Sequence, residues 1–139
     1  MFDFFGRKNK TNKTKVLIVD DEPDLVQTLQ DRLEMNGYSM VTAGNGREGL
    51  EKAVQEKPDI VLLDVIMPIM DGLEMLEALR KHPECKDCAV IMLTARSQRQ
   101  DIVRAKTCGI EDYVVKPFDL SELIEKIESV LERHVVTAK

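Results

Sequence analysis

Cysteine is scarce. Three residues, an odd number, follow no secretory leader, so a disulfide-held framework is excluded and a reducing, cytoplasmic setting is expected. The amino end is ordered the wrong way for a secretory signal, with Met1, Phe2, Phe4 and Phe5 first and Arg7, Lys8 and Lys10 after them. Nowhere does an apolar run approach the roughly 18 residues that a membrane-spanning helix needs. Positive charge is also in deficit: 20 Lys and Arg against 25 Asp and Glu give a net charge of -5, which argues against a nucleic-acid-binding surface on the body of the molecule. Nor is there length for a second catalytic or DNA-binding domain, since 139 residues make one ordinary core. What is present, 43% hydrophobic and 32% charged residues, suits a folded domain with a solvated surface. The charge is uneven, because residues 1–15 hold five basic groups and one acid. The expected division is therefore a basic, Phe-containing tail over 1–14, a domain over 15–133 and a short tail over 134–139, with no linker or output domain.

From Lys15 onward, short apolar runs alternate with longer stretches of helical spacing, which is the mark of an α/β domain. Val16–Val19 and Ile60–Leu63 are fully apolar and each is closed by an acid, Asp20 with Asp21 in the first case and Asp64 in the second. Ala89–Leu93 is a third such run, ending at Thr94, whereas Ser39–Ala43 alternates and Tyr113–Val115 is short. Fully apolar strands belong inside a parallel sheet, and the other two belong at its edges. Right-handed crossovers then predict a doubly wound, five-stranded parallel sheet in the order 2-1-3-4-5 with five helices. The helices are expected to begin at Pro23, after Gly44-Asn45, at the Asp71 cap, before Ile102 and near Asp119, the last ending at Arg133.

In such a sheet ligands bind at the carboxyl ends of the strands, beside the switch between strands 1 and 3. Asp20, Asp21 and Asp64 meet there, and Thr94 and Lys116 end the neighbouring strands. Carboxylates about 4 Å apart repel by roughly 4 kcal/mol a pair at an effective dielectric near 20. One lysine leaves the pocket negative, so a hard divalent cation is called for, and Mg²⁺ fits because it combines a few carboxylates with water and phosphate oxygens. A phosphoryl group then becomes a plausible substrate. Metal and Lys116 would neutralise its oxygens, Thr94 would donate a hydrogen bond, and Asp64 would be the attacking carboxylate. Taken singly, Asp20, Asp21 and Lys116 read more simply as helix caps or solvated ends, but all five residues fall at the same end of their strands, which coincidence does not explain.

Four motifs carry a resemblance over about residues 15–133: VLIVDDEP at 16–23, PDIVLLDVIMPIMDG at 58–72, VIMLTA at 90–95 and GIEDYVVKPF at 109–118. The chain is similar to the receiver domain of two-component response regulators, in the stand-alone form found in chemotaxis and phosphorelay systems. That resemblance implies a flavodoxin-like fold and a signalling switch rather than a turnover enzyme. It implies that Asp64 accepts a phosphoryl group from a phosphohistidine on a sensor histidine kinase or phosphotransfer protein. It further implies that Asp21, Asp64 and the Ile66 carbonyl ligate Mg²⁺ directly and Asp20 through water, while Thr94, the Ala95 N–H and Lys116 hold phosphoryl oxygens. Lys116-Pro117 is expected to be cis, aiming the lysine. Thr94 and Tyr113 are expected to shift on phosphorylation and alter the surface of helix 4, strand 5 and helix 5, where an unknown target would bind. The alternative is a relay intermediate that passes the group to a second histidine protein. Ile66 and Arg96 stand two residues after Asp64 and Thr94, where the family controls water access. An isoleucine cannot orient water, so slow self-dephosphorylation is expected. Ile110 adds bulk where the family commonly has alanine.

Three rival signals remain. Gly44-Asn45-Gly46-Arg47-Glu48-Gly49 is a literal GxGxxG with Asp64 twenty residues on, but it leaves an edge strand rather than the switch point. An aspartate-nucleophile phosphatase would need an acid where Ile66 stands. His82, Cys85 and Cys88 have metal-like spacing but make a thin site, and Cys108 reads as a small core residue. The leader itself is read either as a frayed tail or as a segment that docks on a partner or an anionic membrane surface.

Overall fold

The computed structural model describes residues 13–137, so the docking reading of the leader falls almost wholly outside the described residues. Among the described residues five strands and five helices alternate: β1 (Lys15–Val19), α1 (Pro23–Met35), β2 (Ser39–Ala43), α2 (Gly46–Glu56), β3 (Ile60–Asp64), α3 (Gly72–Lys81), β4 (Ala89–Ala95), α4 (Arg99–Cys108), β5 (Asp112–Lys116) and α5 (Leu120–Thr137). A 3₁₀ turn, Arg96–Gln98, leads from β4 into α4. All strand pairs are parallel and the order is β2-β1-β3-β4-β5, as the apolar runs predict.

Strand periodicity divides the core in two, because successive side chains point to opposite faces. Leu17, Val19, Val61, Leu63, Val90 and Met92 pack on one face with Ala53, Leu76, Leu79 and Ala105 of α2, α3 and α4. Val16, Ile18, Ile60, Leu62, Ile91, Leu93 and Val114 fill the other with Leu29 and Leu33 of α1 and Leu123, Ile127 and Val130 of α5. Both faces are covered, which is why Val16–Val19, Ile60–Leu63 and Ala89–Leu93 contain no polar residue. Each fully buried Leu or Ile side chain contributes about 1.5–3 kcal/mol, enough to fix the strand register that lines up the acids.

Helix entry follows local chemistry. Asp71 Oδ1 accepts from Glu74 N–H at 2.9 Å while Glu74 Oε1 accepts from Asp71 N–H at 3.0 Å, a reciprocal cap on α3. Asn45 Oδ1 likewise accepts from Glu48 N–H at 2.9 Å at the start of α2. That accounts for the glycine-rich segment. Gly46 N–H donates to the Met70 carbonyl at 2.9 Å, and a Cβ there would strike Met70. A Cβ on Gly49 would meet Val19 and Met75 at 2.8 Å. Glycine is thus needed for close packing, and two N–H groups that a pyrophosphate would use are already engaged.

α5 departs from its expected extent, running to Thr137 instead of stopping at Arg133. The residues after Arg133 include neither Gly nor Pro, so nothing local ends the helix there. His82, Cys85 and Cys88 do not form a metal site. His82 ends α3 with its Nδ1 accepting from Glu84 N–H at 3.1 Å, Cys85 is buried, and burial pushes the Cys88 thiol up to about 11. Cys108, at the end of α4, packs half-buried against the core.

Candidate functional site

Strand register brings the polar ends together. Val19 pairs with Leu63, Asp64 with Leu93, and Ala95 with Lys116, so the carboxyl ends of β1, β3, β4 and β5 form one rim. Asp20 follows β1 directly and is 2% exposed; Asp64 closes β3 at 7%; Asp21 is exposed. Each offers a carboxylate oxygen, and these three oxygens lie within 4.8 Å of one another. No other cluster of His, Cys, Asp or Glu suited to a metal ion occurs among the described residues.

Lys116 Nζ reaches into this group. It donates to Asp20 Oδ2 at 2.8 Å and to Glu22 Oε1 at 2.9 Å, and lies 3.6 Å from Asp64 Oδ1. Asp20 Oδ1 also accepts from Glu22 N–H at 2.9 Å, so its buried carboxylate is held at both oxygens. Burial would lower the lysine's pKa, but the hydrogen bonds to Asp20 and Glu22 outweigh it and push the ammonium up to about 12. It stays charged at any physiological pH. The Asp64 carboxyl is also pushed up, to about 6, first by burial and then by the Asp20 charge, with Lys116 only partly opposing. The Lys116–Pro117 peptide bond is cis.

Around Asp64 the backbone is tight. Val65 N–H donates to Leu93 O at 3.1 Å and Gly72 N–H to Val65 O at 2.7 Å. A Cβ at Gly72 would run into the Asp64 carbonyl oxygen, so only glycine lets the α3 entrance close over the end of β3. Ile66 projects outward at 60% exposure beside the acid. Ile69 adopts φ 71°, a left-handed conformation that strains a β-branched residue.

Thr94 is 1% exposed at the end of β4, its hydroxyl 3.1 Å from the Ala95 carbonyl and 3.3 Å from Gln98 Oε1. Ala95 N–H donates to that same Gln98 oxygen at 2.9 Å. Tyr113 lies half-buried on β5, paired with Met92, with the Lys106 ammonium 5.4 Å from its ring centre. The Arg96 side chain lies outside the described residues, and Ile110 is half-buried against the core.

The structure thus draws Asp20, Asp21, Asp64 and Lys116 into direct proximity, with Thr94 and Ala95 on the adjoining strand end. Three further participants were not legible as such. Glu22 stands beside the acid pair and its charge was a visible clue; Gly72 carried no functional signal because its role depends on how α3 closes over the end of β3, and the signal for Gln98 was its spacing, an amide three residues after Ala95 that can cap the turn. Four carboxylates sharing one ammonium leave net negative charge in a pocket built from oxygen donors. That donor set fits a hard divalent cation such as Mg²⁺.

A family model for the response regulator receiver domain matches residues 16–128. The chain is 40% identical over 124 residues to the alkaline phosphatase synthesis transcriptional regulatory protein PhoP of Bacillus subtilis, covering 89% of this chain and 51% of that protein. It is 46% identical over 121 residues to the probable transcriptional regulator ycf27 of Guillardia theta, covering 87% of this chain and 46% of that one. The chain spans about half the length of these curated relatives. Among solved structures, a CheY-like response regulator receiver domain protein from Methanospirillum hungatei superposes with a TM-score of 0.85 at 29% identity, covering 91% of this chain and 99% of the other. The response regulator TrrA of Thermotoga maritima, solved in complex with Mg²⁺–BeF, gives a TM-score of 0.74 at 37% identity, covering 84% and 98%. With its sheet order, its acid cluster and a family match over most of its length, the chain belongs to the response regulator receiver domains of two-component systems.

Proposed function

We propose that this receiver domain is a phosphorylation-controlled switch in which Asp64 is the acceptor. The observation that supports this best is the convergence of three carboxylates and Lys116 at the carboxyl ends of neighbouring parallel strands, with Thr94 and Ala95 beside them. In the proposed step a carboxylate oxygen of Asp64 attacks the phosphorus of a phosphohistidine on a sensor histidine kinase or phosphotransfer protein. A P–O bond forms, the P–N bond breaks, and the imidazole nitrogen keeps the electron pair and takes up a proton. The product is an acyl phosphate on Asp64.

Asp20, Asp21, Asp64 and the Ile66 carbonyl would hold Mg²⁺, which supplies charge neutralisation to the phosphoryl oxygens when bound. Lys116 would move part of its charge from Glu22 and Asp20 onto the incoming group. The Thr94 hydroxyl and Ala95 N–H would donate to its oxygens, preorganised by β4. Thr94 turning toward the phosphoryl group leaves room for Tyr113, on the adjacent strand, to follow, which would change the α4, β5 and α5 surface read by a downstream protein. Nothing in this reading needs multiple turnover or a nucleic-acid contact. No helix among the described residues is long and apolar enough to cross a membrane, and three free cysteines suit a reducing cytoplasm.

Incubation with a small phosphodonor and Mg²⁺, read by intact mass, tests the reading. The wild type should gain one phosphoryl group and Asp64→Asn none. Labelling that persists in Asp64→Asn would refute the assignment.

A further inference from the structure

Gln98 ends the 3₁₀ turn that leads into α4, and its amide oxygen engages the strand end through two contacts. It accepts from the Ala95 N–H at 2.9 Å and lies 3.3 Å from the Thr94 hydroxyl. A hydroxyl has one proton, so Thr94 donates either to this oxygen or to the Ala95 carbonyl at 3.1 Å. The Ala95 N–H and Thr94 hydroxyl are the same two donors assigned above to the phosphoryl group. In the resting protein one of them is spent on a neutral side chain of the same chain, and the other is within its reach.

Resting on the proposed function, we infer that Gln98 is a positioning residue whose amide oxygen stands in for a phosphoryl oxygen until Asp64 is modified. The need for a stand-in is physical. Thr94 is almost fully buried, and leaving such donors unmet is costly, so the resting state gains from an internal acceptor. A neutral amide is nevertheless the weaker acceptor. Hydrogen bonds to an anionic oxygen are roughly twice as strong, so a phosphoryl group displaces it. Displacement does more than clear the site. Gln98 ties Ala95 to the first turn before α4, and its release loosens that turn as Thr94 reorients. The acceptor site is thereby linked to the α4 surface through the backbone, in addition to any movement of Tyr113.

The test is a titration with beryllofluoride in saturating Mg²⁺, comparing wild type, Gln98→Ala and Gln98→Glu by calorimetry and by the Ala95 amide resonance. Removing one competing hydrogen bond should tighten beryllofluoride binding in Gln98→Ala about three- to tenfold. Mg²⁺ binding without fluoride should be unchanged, because the Gln98 amide oxygen engages Ala95 and Thr94 rather than the acids. A purely structural cap would move the result the other way, lowering both the melting temperature and the anion affinity. Gln98→Glu keeps the contact with a charged acceptor and should bind the anion more weakly than wild type, which serves if the alanine variant does not fold. Equal or weaker beryllofluoride binding in folded Gln98→Ala overturns the inference and leaves the proposed function standing. Wild type that binds no beryllofluoride overturns both.

Discussion

Replacing Asp64 with asparagine keeps the shape of the side chain and removes a charge that the fold holds at a disadvantage. Burial and the neighbouring Asp20 push the Asp64 carboxyl from an ordinary 3.8 up to about 6, and its side chain is only 10% exposed, so solvent screens little of this. In the window between those values the folded chain binds more protons than the unfolded one, and stability therefore falls as pH rises. About two units at 1.36 kcal/mol each amount to a penalty on the order of 2–3 kcal/mol, fully present above about pH 6. Asp64→Asn should be more stable than wild type by that amount at pH 7, with the gap closing as pH falls toward about 4. Urea denaturation in EDTA across this range measures it. Adding Mg²⁺ should narrow the gap at neutral pH, because a cation at a hundred times its dissociation constant contributes roughly 2.7 kcal/mol to the protein that binds it. Equal stability of the two proteins at pH 7 in EDTA, or a gap independent of pH, would refute the reasoning.

Lys116→Ala should cost about 2–3 kcal/mol in EDTA, because the buried Asp20 carboxylate loses its partner at 2.8 Å, and Mg²⁺ should restore part of that loss in a melting curve. Gly72→Ala sets a methyl against the Asp64 carbonyl and should destabilise by about 1–3 kcal/mol, with slower labelling by a small phosphodonor in the fraction that remains folded. Ile66, 60% exposed beside the acceptor, offers water no hydrogen bond. Ile66→Asn should therefore shorten the acyl-phosphate lifetime about tenfold, or roughly 1.4 kcal/mol of barrier, followed by loss of phosphoryl mass with time. Decay of the wild-type phosphoprotein within seconds, with no phosphatase present, would sink the premise of slow self-dephosphorylation.

The amino-acid sequence by itself determined the sheet and the place of the site in it. Runs such as Val16–Val19 and Ile60–Leu63 are apolar at every position because both faces are covered, and this sets them in the interior of a parallel sheet. Once the strand order follows, the acids that close those runs must share one edge, so Asp20, Asp21 and Asp64 were legible from position alone. The extent of α5 was less so, because no Gly or Pro follows Arg133 to mark its end. Tertiary structure alone decided how the charges are shared. That Lys116 binds Asp20 and Glu22 more closely than Asp64 depends on side-chain reach across strands 96 residues apart in sequence. The closure of Gly72 over Asp64 likewise arises where the entrance of α3 meets the end of β3, whereas Gln98 reaches an Ala95 only three residues before it. Local pattern records burial and chain direction, because each residue's neighbours in sequence sense those. It does not record which polar groups meet across the sheet, since that depends on distances fixed only after the strands have packed.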